Sequence, residues 1–300
     1  MGTFCMIKDL CFEIIQQCPN ECIFCSSNSG YVCTTVISYE TFERVINSLH
    51  SAYGIAEVSL SGGEPLLHRD ILRMVTKLTS CGIKSRLYTS GVILNETINT
   101  DNLDWATLRI VEQLNRRKFM EVSVQKFAEL KQAGLGTVVL SLHASEEETY
   151  NSLMGTQGQC INTLNSLLNA RRAGLNVEVH YVPMRINKNE FEDVLELCDI
   201  AEIETLSVLK LVPQGRACNH LAALVLSESQ LQEIRVLVDT VKCKYKTKVR
   251  LGLPLSGSGH DCTAGYDKFS IRYDGQVFPC VAFKNCTKDT SKFFKSTNIF

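Results

Sequence analysis

Short apolar runs and longer amphipathic segments alternate along most of this chain. Apolar runs of β type fall at residues 11–17, 57–61, 85–88, 137–142, 176–182 and 206–212. Helical periodicity fills the intervals at 39–52, 70–80, 122–132, 160–173 and 190–201. Gly82, Gly134 and Gly174 each stand between a predicted helix and the next strand, as a C′ stop feeding a buried parallel strand does. The pattern predicts an α/β fold whose parallel sheet curls into a barrel, with ligands at the C-terminal ends of the strands.

Two stretches depart from the rhythm. Residues 93–118 are longer than an ordinary βα connection. Asn95, Thr97, Asn99, Thr100 and Asn102 make the first half polar, and residues 105–114 read as a short helix. A lid, a substrate-side insertion and a surface elaboration all fit. Beyond residue 225 a helix at 228–244 and a strand at 248–253 lead to two short strands, 268–273 and 276–279, around Asp274-Gly275. These read as a hairpin that brings Cys262 and Cys280 together, with Cys286 just beyond. The expected division is therefore 1–225 for the barrel and 226–300 for a small extension.

The chemistry is concentrated in cysteines. Cys18, Cys22 and Cys25 have C-x3-C-x2-C spacing. Three thiolates this close can hold three irons of a [4Fe–4S] cube, leaving the fourth iron open. An open metal position is where a substrate or cosubstrate binds. A zinc site normally closes with four ligands, often as two C-x2-C pairs; zinc and reduced structural cysteines remain the alternatives. The next strand runs into Gly62-Gly63-Glu64-Pro65. Two glycines allow close backbone approach, Pro65 fixes the exit, and Glu64 offers a carboxylate suited to an ammonium group. Both motifs follow strands, so both fall on one face of the barrel.

Composition narrows the class. With 45% hydrophobic and 21% charged residues the chain reads as globular, and a net charge of −1 gives no basic footprint for nucleic acid. No apolar run approaches the roughly 20 residues of a membrane helix. Lys8, Asp9 and Glu13 interrupt the first apolar run, so it does not read as a signal peptide. The expected location is cytoplasmic. There, 14 cysteines argue for metal rather than disulfides.

Taken together, the cysteine triplet, the aromatic Phe24 before its third member, and Gly62-Gly63-Glu64-Pro65 resemble the motifs of the radical S-adenosylmethionine (SAM) superfamily, in order and spacing. The resemblance implies a partial (β/α)6 TIM-like barrel. It implies SAM chelated at the open iron and cleaved by one electron to a 5′-deoxyadenosyl radical, which abstracts hydrogen from the substrate. It also implies cofactor contacts from Phe24 and Gly62–Pro65, and from Ser90, Ser141 and Asn187 at later strand ends. Asn187 fits an N-cap equally well. His143 reads as a hydrogen-bonded structural histidine, and Arg216, in Pro213-x-Gly215-Arg216, as a group able to reach a carboxylate.

The C-terminal pattern of Cys262-x-Ala264-Gly265, Ile271, Asp274-Gly275 and Pro279-Cys280 resembles the start of a SPASM or twitch extension. That resemblance implies an auxiliary iron–sulfur cluster on Cys262, Cys280 and Cys286, with no fourth ligand visible. A full SPASM extension continues with a further C-x2-C, and none follows Cys286 here. The expected activity is oxidative modification of a peptide or protein, of crosslink or thioether type, served by a flavodoxin- or ferredoxin-type reductant. The first predicted strand begins at residue 11, with no preceding module to grip a leader peptide, which either weakens the peptide reading or implies a separate leader-binding partner. The rivals are small-molecule radical chemistry, such as dehydrogenation or cofactor biosynthesis, and a non-catalytic iron–sulfur or zinc scaffold. The catalytic acid or base is not legible.

Overall fold

A computed structural model describes residues 6–94, 104, 119–253 and 263–284, with the backbone of 297–298. Cys262, Cys286 and the helix expected at 105–114 lie outside the described residues. In chain order the elements are β1 (Asp9–Ile15), α1 (Tyr39–Tyr53), β2 (Glu57–Gly62), α2 (Ile71–Ser80), β3 (Lys84–Thr89), β4 (Val92–Leu94), β5 (Phe119–Glu121) and α3 (Val124–Gln132). Then come β6 (Thr137–Ser141), α4 (Glu147–Met154), α5 (Cys160–Arg172), β7 (Asn176–Tyr181), α6 (Phe191–Ile200) and β8 (Thr205–Leu209). The last are α7 (Leu221–Leu224), α8 (Glu228–Val241), β9 (Lys248–Gly252), β10 (Lys268–Ile271), β11 (Gln276–Phe278) and β12 (Thr297–Asn298).

The main sheet runs β12-β11-β10-β1-β2-β3-β6-β7-β8-β9. From β10 to β9 every pairing is parallel, and β11 and β12 add antiparallel strands at one end. The six expected strands form its centre, as a TIM-like α/β arrangement requires. The sheet also crosses the expected 225/226 division, because β9 pairs with β8 and β10 with β1. The β4–β5 ribbon brackets residues 95–118.

Alternation along each strand assigns its two faces. Register aligns Leu10 with Val58, Leu60 with Leu87, Leu87 with Val138, and Val179 with Leu206. These residues belong to the apolar layer between sheet and helices, where Phe12 meets Phe42 of α1 at 5.2 Å between ring centres. Burying each such side chain contributes roughly 1.5–3 kcal/mol. Ser38 caps α1 by accepting from the Thr41 amide, and Ser227 with Gln230 forms a reciprocal capping box on α8.

The opposite face is polar. Asp9, Cys11 and Glu13 of β1, Ser59 and Ser61 of β2, Tyr88 of β3, His180 of β7 and Leu209 of β8 line one cavity of about 450 Å³. Strands from both flanks of the sheet share that cavity, so the sheet is curled. The Glu178 carboxylate of β7 ties its own strand to three others, accepting from Arg86 at 3.0 Å, Ser207 at 2.6 Å and Arg250 at 2.5 Å. Burial alone would raise its pKa. The bonds from His180 and Ser207 and the Arg250 charge instead hold it down at about 2.

Candidate active site

β1 ends two residues sooner than its apolar run, because the Gln16 amide bonds the Thr35 carbonyl at 2.8 Å and Gln17 bridges to Gly30. The chain then forms an irregular loop carrying Cys18, Cys22 and Cys25, all lining the cavity. The loop is held through its backbone. The amides of Glu21 and Ile23 donate to Met154 and Leu153 at the end of α4, and Cys18 donates to Gly30. Sequence reasoning missed α4, whose C-terminal Met154 also places its sulfur 3.7 Å from Cys22 Sγ.

The glycine turn is stitched to this loop. The Gly63 amide donates to Ile15 at 2.7 Å and the Glu64 amide to Gln17 at 2.8 Å. A Cβ on Gly62 would collide with the Ile15 carbonyl, and one on Gly63 with the carbonyls of Gln16 and Gln17. The glycines are therefore required first by close passage of two backbones. Both also line the cavity. Pro65 opens a 3-10 turn, Pro65–Leu67, as the preset φ of proline favours.

Glu64 is held by the protein's own donors. Fully buried, its carboxylate accepts from Thr89 Oγ1 at 2.7 Å, from the Ser90 amide and hydroxyl at 3.0 and 2.8 Å, and from the Leu66 amide at 3.2 Å. Burial raises its pKa despite those bonds. These bonds fix the end of β3. Ser90, with its hydroxyl on Glu64, lines the cavity, as does Ser141 at the end of β6.

Asn187 is likewise held by the protein's own backbone. Its Nδ2 donates to the carbonyls of His143 at 2.7 Å and Val182 at 3.0 Å, and its Oδ1 accepts from the Met184 amide at 2.6 Å. Fully buried, the side chain pins the loop after β7 to the end of β6 and forms no N-cap bond. Arg216 reaches carbonyls rather than a carboxylate. Its Nε donates to Cys22 at 2.8 Å and its Nη2 to Ser29 at 2.6 Å, while its amide donates to Cys25. Gly215 lets the two loops touch: with φ of 59°, a Cβ there would lie 2.7 Å from the Cys25 and Ser26 carbonyls.

His143 matches the structural reading. Its Nδ1 accepts from the Val182 amide at 3.2 Å, which leaves the proton on Nε2. Burial, aided by nearby His180, lowers its pKa to about 3. Its ring also lines the cavity and stacks edge-on against Phe24 at 4.8 Å.

These residues fit an iron–sulfur cube better than a single ion. Among the described residues, no three His, Cys, Asp or Glu side chains close on one point as a single-ion site requires. The three thiols line one cavity, and a cube spreads its ligands over separate iron corners. Burial, then the neighbouring cysteine, raises the pKa of Cys18 and of Cys22, so iron binding must displace their protons. Both polar atoms of the Asn20 side chain and the Ser29 hydroxyl are buried without a hydrogen-bond partner beside these thiols, which suits a missing inorganic neighbour. Of the C-terminal cysteines, Cys280 is half-buried, its sulfur 3.2 Å from the Ala282 amide.

Comparison with known proteins agrees with this geometry. The chain is 24% identical over 296 residues to the PqqA peptide cyclase of Rhodopseudomonas palustris, covering 95% of this chain and 70% of that protein. It is 26% identical over 297 residues to a probable GTP 3′,8-cyclase of Aeropyrum pernix, covering 93% and 74%. The fold matches Streptococcus suis SuiB bound to SAM with a TM-score of 0.69 and 16% identity, covering 98% of this chain. This chain spans only 63% of SuiB. Residues 12–198 match the model of the Radical SAM superfamily, and the chain belongs to that superfamily.

Proposed function

We propose that this radical SAM enzyme oxidatively modifies a peptide or protein substrate. The observation that carries the reading is one cavity reached by three parts of the chain: the cysteine loop, the Gly62-Gly63 turn, and Val281 and Lys284 of the C-terminal segment. Likeness to a peptide cyclase, and to SuiB, which has been seen with its precursor peptide SuiA, supports a peptide as substrate. SAM bound at a [4Fe–4S] cluster on Cys18, Cys22 and Cys25 supplies a 5′-deoxyadenosyl radical on one-electron reduction.

The protein supplies position and exclusion of water. Phe24, His143 and residues 209–212 line the cavity, with Lys210 exposed. Gly62, Gly63, Ser90 and Ser141 present the turn backbone and two hydroxyls to the cosubstrate. An auxiliary cluster on Cys262, Cys280 and Cys286 would take up the electron released when the product forms. A flavodoxin- or ferredoxin-type protein serves as reductant.

Anaerobically reconstituted protein, given reductant, SAM and candidate precursor peptides, is expected to form 5′-deoxyadenosine and peptide products lighter by two hydrogens. A Cys18/Cys22/Cys25→Ala variant should form neither. Nucleoside without peptide modification across a panel of precursors would favour small-molecule chemistry, a reading supported by likeness to the probable GTP 3′,8-cyclase. Zinc in place of iron, with no nucleoside, would leave only the scaffold reading.

A further inference from the structure

The interior of β1 carries a carboxylate that the superfamily motifs do not use. Glu13 is 1% exposed, five residues before Cys18, and lines the cavity. It accepts from Ser27 Oγ at 2.9 Å, and Ser27 lies two residues beyond Cys25. Its cationic partner comes from the far end of the chain. Lys284, 4% exposed, donates to Glu13 and also to Ser27 Oγ at 2.5 Å. The extension grips the same loop a second time, through Tyr273, whose hydroxyl donates to the Ser27 carbonyl at 3.0 Å. Arg272 in turn donates to the Lys284 carbonyl at 2.5 Å, and Gln214 to the Ala282 carbonyl, so the segment bearing Lys284 is itself held.

We propose that Lys284 and Glu13 are a positioning pair through which the C-terminal extension holds the Cys25–Ser29 stretch in its iron-binding shape. The physical basis is the cost of burying charge. Either member alone is an uncompensated charge inside the barrel, and the structure must then move to hydrate it. The part free to move is the irregular loop, because Glu13 sits on a central strand while Ser27 has no ladder to hold it. The pair thus makes the state of the extension, which carries Cys280, felt at the N-terminal cluster. This rests on superfamily membership and not on the identity of the substrate.

The test uses full-length protein, reconstituted anaerobically with iron and sulfide, in the forms wild type, Lys284→Met, Lys284→Arg and the double variant Glu13→Gln/Lys284→Met. The readout is the low-temperature electron paramagnetic resonance signal of the reduced cluster with and without SAM, beside circular dichroism for folding. The SAM-induced change is taken as the difference from a Cys18/Cys22/Cys25→Ala control, which subtracts any contribution from a second cluster on the extension. Lys284→Met is expected to lose the SAM-responsive signal several-fold, Lys284→Arg to keep most of it, and the double variant to recover at least half. A Lys284→Met protein with the wild-type response would overturn the proposal. So would a folded double variant no better than Lys284→Met, and that comparison decides the matter should Lys284→Met fail to fold. No peptide is needed, so this outcome is separate from the substrate assignment.

Discussion

Arg216 Nε donates to the backbone carbonyl of Cys22 at 2.8 Å. With the second bond from Nη2 to Ser29, the guanidinium spans the cysteine loop from its middle to its end. A planar fork with fixed donor directions suits this task, and a lysine ammonium does not reproduce it. Arg216→Lys is expected to cost roughly 2–4 kcal/mol in urea unfolding of the apo-protein, for two charge-assisted bonds. Reconstituted iron should fall in parallel. Unchanged stability and iron content would show that the loop holds its shape without the fork.

Glu64 should behave as a structural post. Glu64→Ala leaves the donors of Leu66, Thr89 and Ser90 buried without an acceptor. The expected loss is roughly 3–5 kcal/mol, against about 1–3 kcal/mol for Glu64→Gln, which keeps one acceptor oxygen. If Glu64→Gln kept full stability but lost SAM affinity by calorimetry, a direct ligand role would replace this account.

Gly63→Ala tests the seam between the two motifs. The new Cβ meets backbone carbonyls of Gln16 and Gln17, which cannot swing aside as a flexible side chain could. Overpacking of this kind costs about 1–3 kcal/mol. The thermal midpoint should drop, and the shift of the loop should reduce iron uptake in the same variant.

His143 gives the protein a pH dependence of defined sign. In the unfolded chain the imidazole takes up a proton near pH 6.5, whereas in the folded protein burial delays this to about 3. The unfolded state therefore binds more protons between these values, so His143 makes stability fall as pH drops through 6.5. The slope approaches about 1.4 kcal/mol per pH unit within that window. Unfolding of wild type and His143→Asn at pH 4.5, 5.5 and 7.5 should show the slope reduced in the variant. In wild type the ring should stay neutral with the proton on Nε2 at pH 5.5 by nitrogen NMR.

The local features of this protein were determined by its sequence. Strand and helix alternate because apolar periodicity is a property of neighbouring residues, and the six central strands fall where the runs predicted them. Cys18, Cys22 and Cys25 fall on one loop because they follow β1 within a few residues of each other. The Gly62-Gly63 turn lies beside them because parallel strands bring their C-terminal ends to one face. What the tertiary structure alone decided is how distant polar groups pair. Arg216 binds Cys22 across 194 residues, and Lys284 binds Glu13 across 271. Glu64 turns into the protein because donors at the end of β3 surround it, and Asn187 because the carbonyls of His143 and Val182 accept from it there. No local spacing encodes such pairings, since curling of the sheet brings both partners into a low-dielectric interior. There an unpaired charge or hydrogen-bonding group costs more than the loop ordering needed to satisfy it.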